Sequence, residues 1–350
     1  MAACLLLGLA LVGCESLSYY GQAARGQLAL MWNRESIAAL LKDPALDPAL
    51  RERLDTFLQL RAFAAAALHL PTGHSYETLV RQNTPFVTWS VFAAPEFSLV
   101  PRQWCYPVAG CVSYRGYFKE ASARQYAAAL SQQGWEVYVG GVSAYSTLGW
   151  FNDPLLSSML ERDTWQLASI LFHELAHQKV YAPGDTEFNE SFATAVEQEG
   201  LRRWLESSSL DDAARASVWR VSVQDAQRRE SFVALVQGAV QDLSALYATE
   251  HDTLMLRQAK QTRLEQLRRD YATLKAKWDG DSSYDNWFKQ PLNNAQLATV
   301  ATYNTWVPAF AALLAQQQGD LDAFYREVTA LAALDQPTRH ARLNALLAAP

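Results

Sequence analysis

No run of Lys and Arg occurs anywhere in the chain, and the formal net charge is −6. That balance argues against a nucleic-acid partner. No Gly-rich phosphate loop and no internal repeat stand out, so nothing points to nucleotide chemistry or to a repeat array. No apolar run approaches the roughly 20 residues that a membrane-spanning helix needs. The nearest candidate, residues 1–12, is too short and reads as the h-region of an export signal. It lacks the usual basic n-region, since no Lys or Arg precedes Cys14. Charge is sparse at 19%, half of the residues are apolar, and this is the profile of a globular enzyme rather than of a disordered chain. With 350 residues there is room for one large domain or two modest ones.

The apolar start runs into Leu11-Val12-Gly13-Cys14, with small residues just ahead of a cysteine. This is a lipobox pattern. It predicts that the signal is cut away and that Cys14 is diacylated, tethering the chain to a membrane face without a spanning helix. Glu15 is not the Asp that commonly retains bacterial lipoproteins at the inner membrane. The expected address is therefore the periplasmic side of the outer membrane. The competing reading is an ordinary signal peptide with an incidental cysteine. Cys105 and Cys111 bracket a short loop containing Pro107 and Gly110. In an oxidising compartment they would form a disulfide; in a cytosolic protein they would be two reduced, buried thiols.

The chain is organised around Leu171-Phe172-His173-Glu174-Leu175-Ala176-His177-Gln178. Trp165, Leu167, Ala168, Ile170, Leu171, Leu175 and Ala176 give helical periodicity, uninterrupted until Pro183. Residues four apart on a helix share a face, so His173 and His177 can aim two imidazole nitrogens at one ion. Glu174 is placed to take a proton from a water without being a ligand. Ionisable groups in such apolar surroundings are costly unless paired or metal-bound. Beyond the turn-rich Ala182-Pro183-Gly184-Asp185, the run Phe188-Asn189-Glu190-Ser191-Phe192-Ala193 opens a second helix. Folded back, it would bring Glu190 beside the histidines. Two His and one Glu leave the fourth zinc position open, as a catalytic Zn2+ site requires.

At these residues the chain resembles the gluzincin group of zinc peptidases. More closely, 173–178 and 188–193 resemble a bacterial family described as zinc aminopeptidases. The likeness extends through Tyr19-Tyr20 and residues 104–118, 144–151 and 293–310. It implies a zincin-like fold, Zn2+ as cofactor, peptides as substrates and Glu174 as general base. It also implies an oxyanion-stabilising donor, for which Tyr303 is the first choice and Tyr117, Tyr145 and Arg115 are further candidates for substrate contact. Two departures stand out. The gap from His177 to Glu190 is short for the group. The Asp that often follows the Glu ligand by four residues is here Thr194; Glu197 could serve instead, or be an ordinary solvated helix charge. Asp185 and Glu187 are candidates for holding a substrate's free amino group. A reading of a different class is a non-catalytic envelope lipoprotein with a structural zinc and a helical arm that binds a partner.

The expected fold is α+β and mostly α-helical: a small mixed β-sheet ahead of the His173–His177 helix, then a large helical C-terminal part. The expected division is 1–14 signal, 15–75 helical hairpin, 76–205 catalytic core and 206–350 helical region. Helices are predicted over 18–41, 49–68 and 121–133, and strands over 86–93, 112–118 and 135–142. Residues 144–149 are predicted either as the end of a substrate-pairing edge strand or as a plain turn. A long charged hairpin is predicted over 230–278, bent near 250–252, and another helix from Asn293.

Overall fold

The computed structural model describes residues 19–106, 110–142, 152–249, 252–301 and 305–348. Cys14, Tyr145, Tyr303 and the 144–149 segment lie outside them. The chain is α+β and mostly helical.

Helix α1 covers 19–32, after which the chain turns into β1 (Arg34–Ser36) and a single helical turn, α2 (Ile37–Leu40). The predicted continuous helix 18–41 is therefore broken. Backbone pairing of Arg34–Ser36 with β2 (Thr78–Val80) replaces helical bonds there. Helix α3 (Pro48–Ala66) starts at the Asp47 cap with Pro48 in its first turn. Strand β8 (Leu155–Leu156) joins β2 in parallel, making a small mixed sheet β1-β2-β8.

The larger sheet is antiparallel, in the order β6-β3-β7, with β3 (Thr88–Pro95) central between β6 (Arg115–Tyr117) and β7 (Trp135–Val142). Helix α4 (Glu120–Gln132) covers one face through Ala123, Ala127 and Leu130. The predicted strand 112–118 is divided. Its first residue closes a separate hairpin of β4 (Trp104–Tyr106) and β5 (Gly110–Val112), and the chain turns at Ser113-Tyr114 before β6. Cys105 and Cys111 face each other across that hairpin and are disulfide-bonded.

The rest is helical: α5 (Thr164–Lys179), α6 (Thr186–Ser207), α7 (Asp212–Tyr247), α8 (Thr253–Lys277), α9 (Asp285–Lys289), α10 (Asn294–Ala301), α11 (Val307–Gln316), α12 (Leu321–Ala332) and α13 (Gln336–Ala348). The main core joins α3 residues Leu54 and Phe57, α5 residues Leu171 and Phe172, α6 residues Phe188 and Phe192, and Phe310, Phe324 and Leu343 near the C-terminus. It spans Ile37 to Leu343, and the expected boundaries at 75/76 and 205/206 fall inside it.

The long hairpin is α7–α8, and it begins at Asp212 rather than at residue 230. Phe232, Val236, Leu264, Leu267 and Tyr271 give it a core of its own. Its polar side is fixed to the sheet. The Asn294 side-chain amide donates to the carbonyls of Pro95, Glu96 and Ser98 at 2.9–3.1 Å and accepts from the Tyr247 hydroxyl at 2.9 Å. Lys260 pairs with Glu136 of β7 and donates to the Glu96 carbonyl at 2.8 Å.

Helix α1 is fastened to the β6 edge. The Gln22 amide donates to the Gly116 carbonyl and accepts from the Phe118 amide, both at 3.3 Å. A side chain at Gly26 would collide with the Phe118 ring, so only glycine permits this approach.

Candidate metal centre

Helix α5 is positioned at its N-terminal end and along its inner face. The Asp163 backbone amide donates to the Gln166 side chain at 3.2 Å, closing its first turn. The Arg53 guanidinium reaches from α3 to the Leu160 carbonyl at 2.9 Å and to Thr164 Oγ1 at 3.2 Å. Leu167, Ala168, Leu171, Phe172, Leu175 and Ala176 are fully buried. The face holding His173 and His177 turns to α6.

The link 180–185 is held rigidly. Asn189 accepts from the Ala182 amide at 2.8 Å and donates to the Ala182 carbonyl at 2.9 Å, both bonds buried. Glu190 is the next residue, so this pair sets its direction. Farther along, a side chain at Gly200 would lie 2.7 Å from Phe172 and 2.8 Å from Leu68, so glycine lets α6 close on α5.

The result is a cluster of three groups. Glu190 Oε2 lies 3.4 Å from His173 Nε2, and Glu190 Oε1 lies 3.7 Å from His177 Nε2. One ligand atom from each residue lies within 4.8 Å of the other two. Ligands about 2.0–2.1 Å from a tetrahedral ion sit roughly 3.3–3.4 Å apart, so these separations suit a small divalent cation. Two imidazoles and a carboxylate are also the right donors for one.

Behind the cluster, His173 Nδ1 is 3.1 Å from Glu197 Oε2. Glu197 lies two turns after Glu190 on the same face of α6. It orients His173 from the far side, as ligand histidines are commonly held. Its alternative reading as a solvated helix charge is thus corrected: its side chain is enclosed and paired. Burial alone would push His173 down, but its bonds to Glu190 and Glu197 outweigh this and raise it to about 10. Burial lowers His177 to about 4, with His173 adding to the effect and Glu190 opposing it. Burial would raise Glu190, yet its bond to His173 and the nearby His177 hold it below the usual carboxylate range.

Glu174 is buried on the same helix and makes no hydrogen bond among the described residues. Burial raises it to about 7; His173 opposes this, while Glu190, Asp153 and Glu197 reinforce it. Asp153 is itself buried, and accepts from Gln178 Nε2 at 3.2 Å.

The other sequence candidates are placed differently. Arg115 and Tyr117 are buried against the larger sheet, with the Arg115 guanidinium 4.1 Å from the Tyr19 ring centroid and 4.5 Å from that of Tyr126. Asp185 is corrected too. It is 1% exposed and caps Phe188, and its carboxylate is taken by Arg339 at 2.5 Å and His340 at 2.9 Å. No room remains there for a substrate amine.

Sequence reading missed Tyr114. The start of β5 at Gly110 abuts the 180–185 link at Gly184, and the turn after β5 carries Tyr114. Tyr114 is 37% exposed. Its phenol is pushed up to about 12, chiefly by burial and then by Glu190, Tyr181, Tyr19 and Glu174. Tyr181 in the link also feels Glu190. No periodicity marks a turn tyrosine as facing a site, so the sequence offered no signal beyond the family likeness of its segment.

A search of curated proteins and one of solved structures give no match. A family model described as "Putative aminopeptidase" matches residues 18–343, which takes in the ligand triad, Glu174, the sheet and nearly all of the helical C-terminal part. The chain belongs to this aminopeptidase family.

Proposed function

We propose that the protein is a zinc-dependent aminopeptidase held at the bacterial envelope by a lipid on Cys14. The observation that carries the catalytic part is the pairing of a three-donor cluster with a buried carboxyl that spends no hydrogen bond among the described residues. His173, His177 and Glu190 would hold Zn2+, for which two imidazoles and one carboxylate form a familiar catalytic set. A zinc ion there would supply Lewis acidity to the scissile carbonyl and make water nucleophilic near neutral pH.

The protein's own groups do the rest. Glu174, raised to about 7, accepts the proton of the attacking water and returns it to the leaving amine. Glu197 fixes the ring of His173. The Tyr114 hydroxyl, within electrostatic reach of Glu190 and Glu174, is the donor we assign to the developing oxyanion; Tyr303 is the alternative.

Restriction to free N-termini rests on family membership. Purified protein should cleave peptides with a free α-amino group and ignore their acetylated counterparts, and a chelator should abolish cleavage until Zn2+ is restored. Equal cleavage of blocked peptides would make it an endopeptidase; no cleavage of either would sink the enzymatic reading. The envelope address is supported by the lipobox and by the Cys105–Cys111 bond, which belongs to oxidising compartments. Cys14→Ser should release the protein from membranes.

A further inference from the structure

The outer side of α1 is largely apolar, although Leu30 and Tyr19 already pack inward on core clusters. Gln22 and Gln27 turn toward the protein, while of the exposed positions from Tyr20 to Trp32 only Arg25 is charged. Trp32 is 85% exposed and Leu28 51%, with Tyr20 and Met31 on the same side. A helix at a protein–water boundary normally does the opposite. No acidic residue occurs from Ser16 to Arg34 in a chain that is acidic overall, and the charge exposed on α1 is the single cation Arg25. Its position adds a second argument. Cys14 precedes Tyr19 by five residues, a reach of at most about 18 Å.

We infer that α1 is an interfacial helix that lies flat on a phospholipid surface, with Trp32, Leu28, Met31 and Tyr20 in the headgroup region and Arg25 among the phosphates. Trp and Tyr favour that boundary, where an apolar body meets a wet rim. An apolar face bordered by a cation, with no acid, is the composition such helices carry. The reach argument rests on the lipid-anchor reading; the apolar exposed face does not. Because α1 is clamped to β6 through Gln22 and Gly26, a flat helix would also fix the orientation of the whole molecule on the bilayer.

The full-length protein, extracted from membranes and with the mass of its Cys14 peptide measured, is mixed with phosphatidylethanolamine–phosphatidylglycerol vesicles carrying brominated acyl chains. Bromine quenches only indoles that enter the bilayer. Wild type should be quenched, and Trp32→Phe should lose that increment. Trp219→Phe, which removes an exposed indole on α7, should keep it. Quenching that is unchanged in Trp32→Phe, or absent from vesicle-bound wild type, overturns the proposal. Trp32-dependent quenching with an unmodified Cys14 supports it while removing the lipid-anchor reading. Sedimentation without vesicles tests the other occupant: a wild-type dimer that Trp32→Glu converts to monomer would show that a second copy covers this face, and would also overturn the proposal.

Discussion

Glu174 and Glu190 are both glutamates facing one cluster, and their surroundings separate their roles. Glu190 sits between two imidazoles and is held ionised, whereas Glu174 is buried with no hydrogen-bond partner among the described residues and rises to about 7. Glu174→Gln keeps the shape and removes the base. Hydrolysis should fall by at least about 10²-fold while metal content stays at the wild-type level. Loss of metal in this variant would make Glu174 a ligand instead. Glu197 predicts the converse pattern. Removing it as Glu197→Ala leaves the three donors in place but frees His173 to rotate, so metal affinity should drop about 10–100-fold in a competition assay against a chromogenic chelator. Affinity unchanged within error would return Glu197 to the status of a bystander.

At the scale of elements, the approach of α6 to α5 depends on Gly200. Gly200→Leu would drive a side chain into Phe172 and Leu68, both buried in the main core. Denaturant titration should show a loss of about 1–3 kcal/mol, and metal binding should weaken with it, because the same contact sets the distance from Glu190 to the histidines. Stability equal to wild type would mean that the helix pair relaxes without cost. The α5–α6 hairpin was the most legible part of the chain. His173 and His177 four apart, an uninterrupted apolar face and a Pro-Gly link predict two antiparallel helices, and the link folds back as that pattern requires. The break after α1 was not legible, because Arg34–Ser36 becomes a strand only through pairing with Thr78–Val80, a partner far along the chain. Residues 112–118 looked like one strand because the alternation of their side chains does not reveal that a cross-strand disulfide holds Cys111 in a different pairing from Arg115. A buried guanidinium among rings, as at Arg115, and a substrate-binding arginine have the same one-dimensional signature.

The molecule as a whole closes on itself around the metal helices. Phe188 and Phe192 of α6 pack on Phe310, Phe324 and Tyr325, and Arg339 and His340 of the last helix bind the Asp185 cap of α6. A metal ion bound only in the folded state would therefore stabilise the common core, by about 4 kcal/mol when free ion exceeds its dissociation constant a thousandfold. Chelation should lower the Tm of wild type and leave that of His177→Ala where it is; a wild-type Tm indifferent to chelator would separate the site from the fold. The attachment of α1 matters in another way. β6 is an outer strand, and the Gln22 amide takes up its Gly116 carbonyl and Phe118 amide as a neighbouring strand would. A bare strand margin is adhesive toward other chains. Helix α1 thus acts as insulation: a chain trimmed to begin at Arg34 keeps the metal cluster and most of the main core but leaves that margin open, and it should become turbid with rising concentration where the intact protein stays clear.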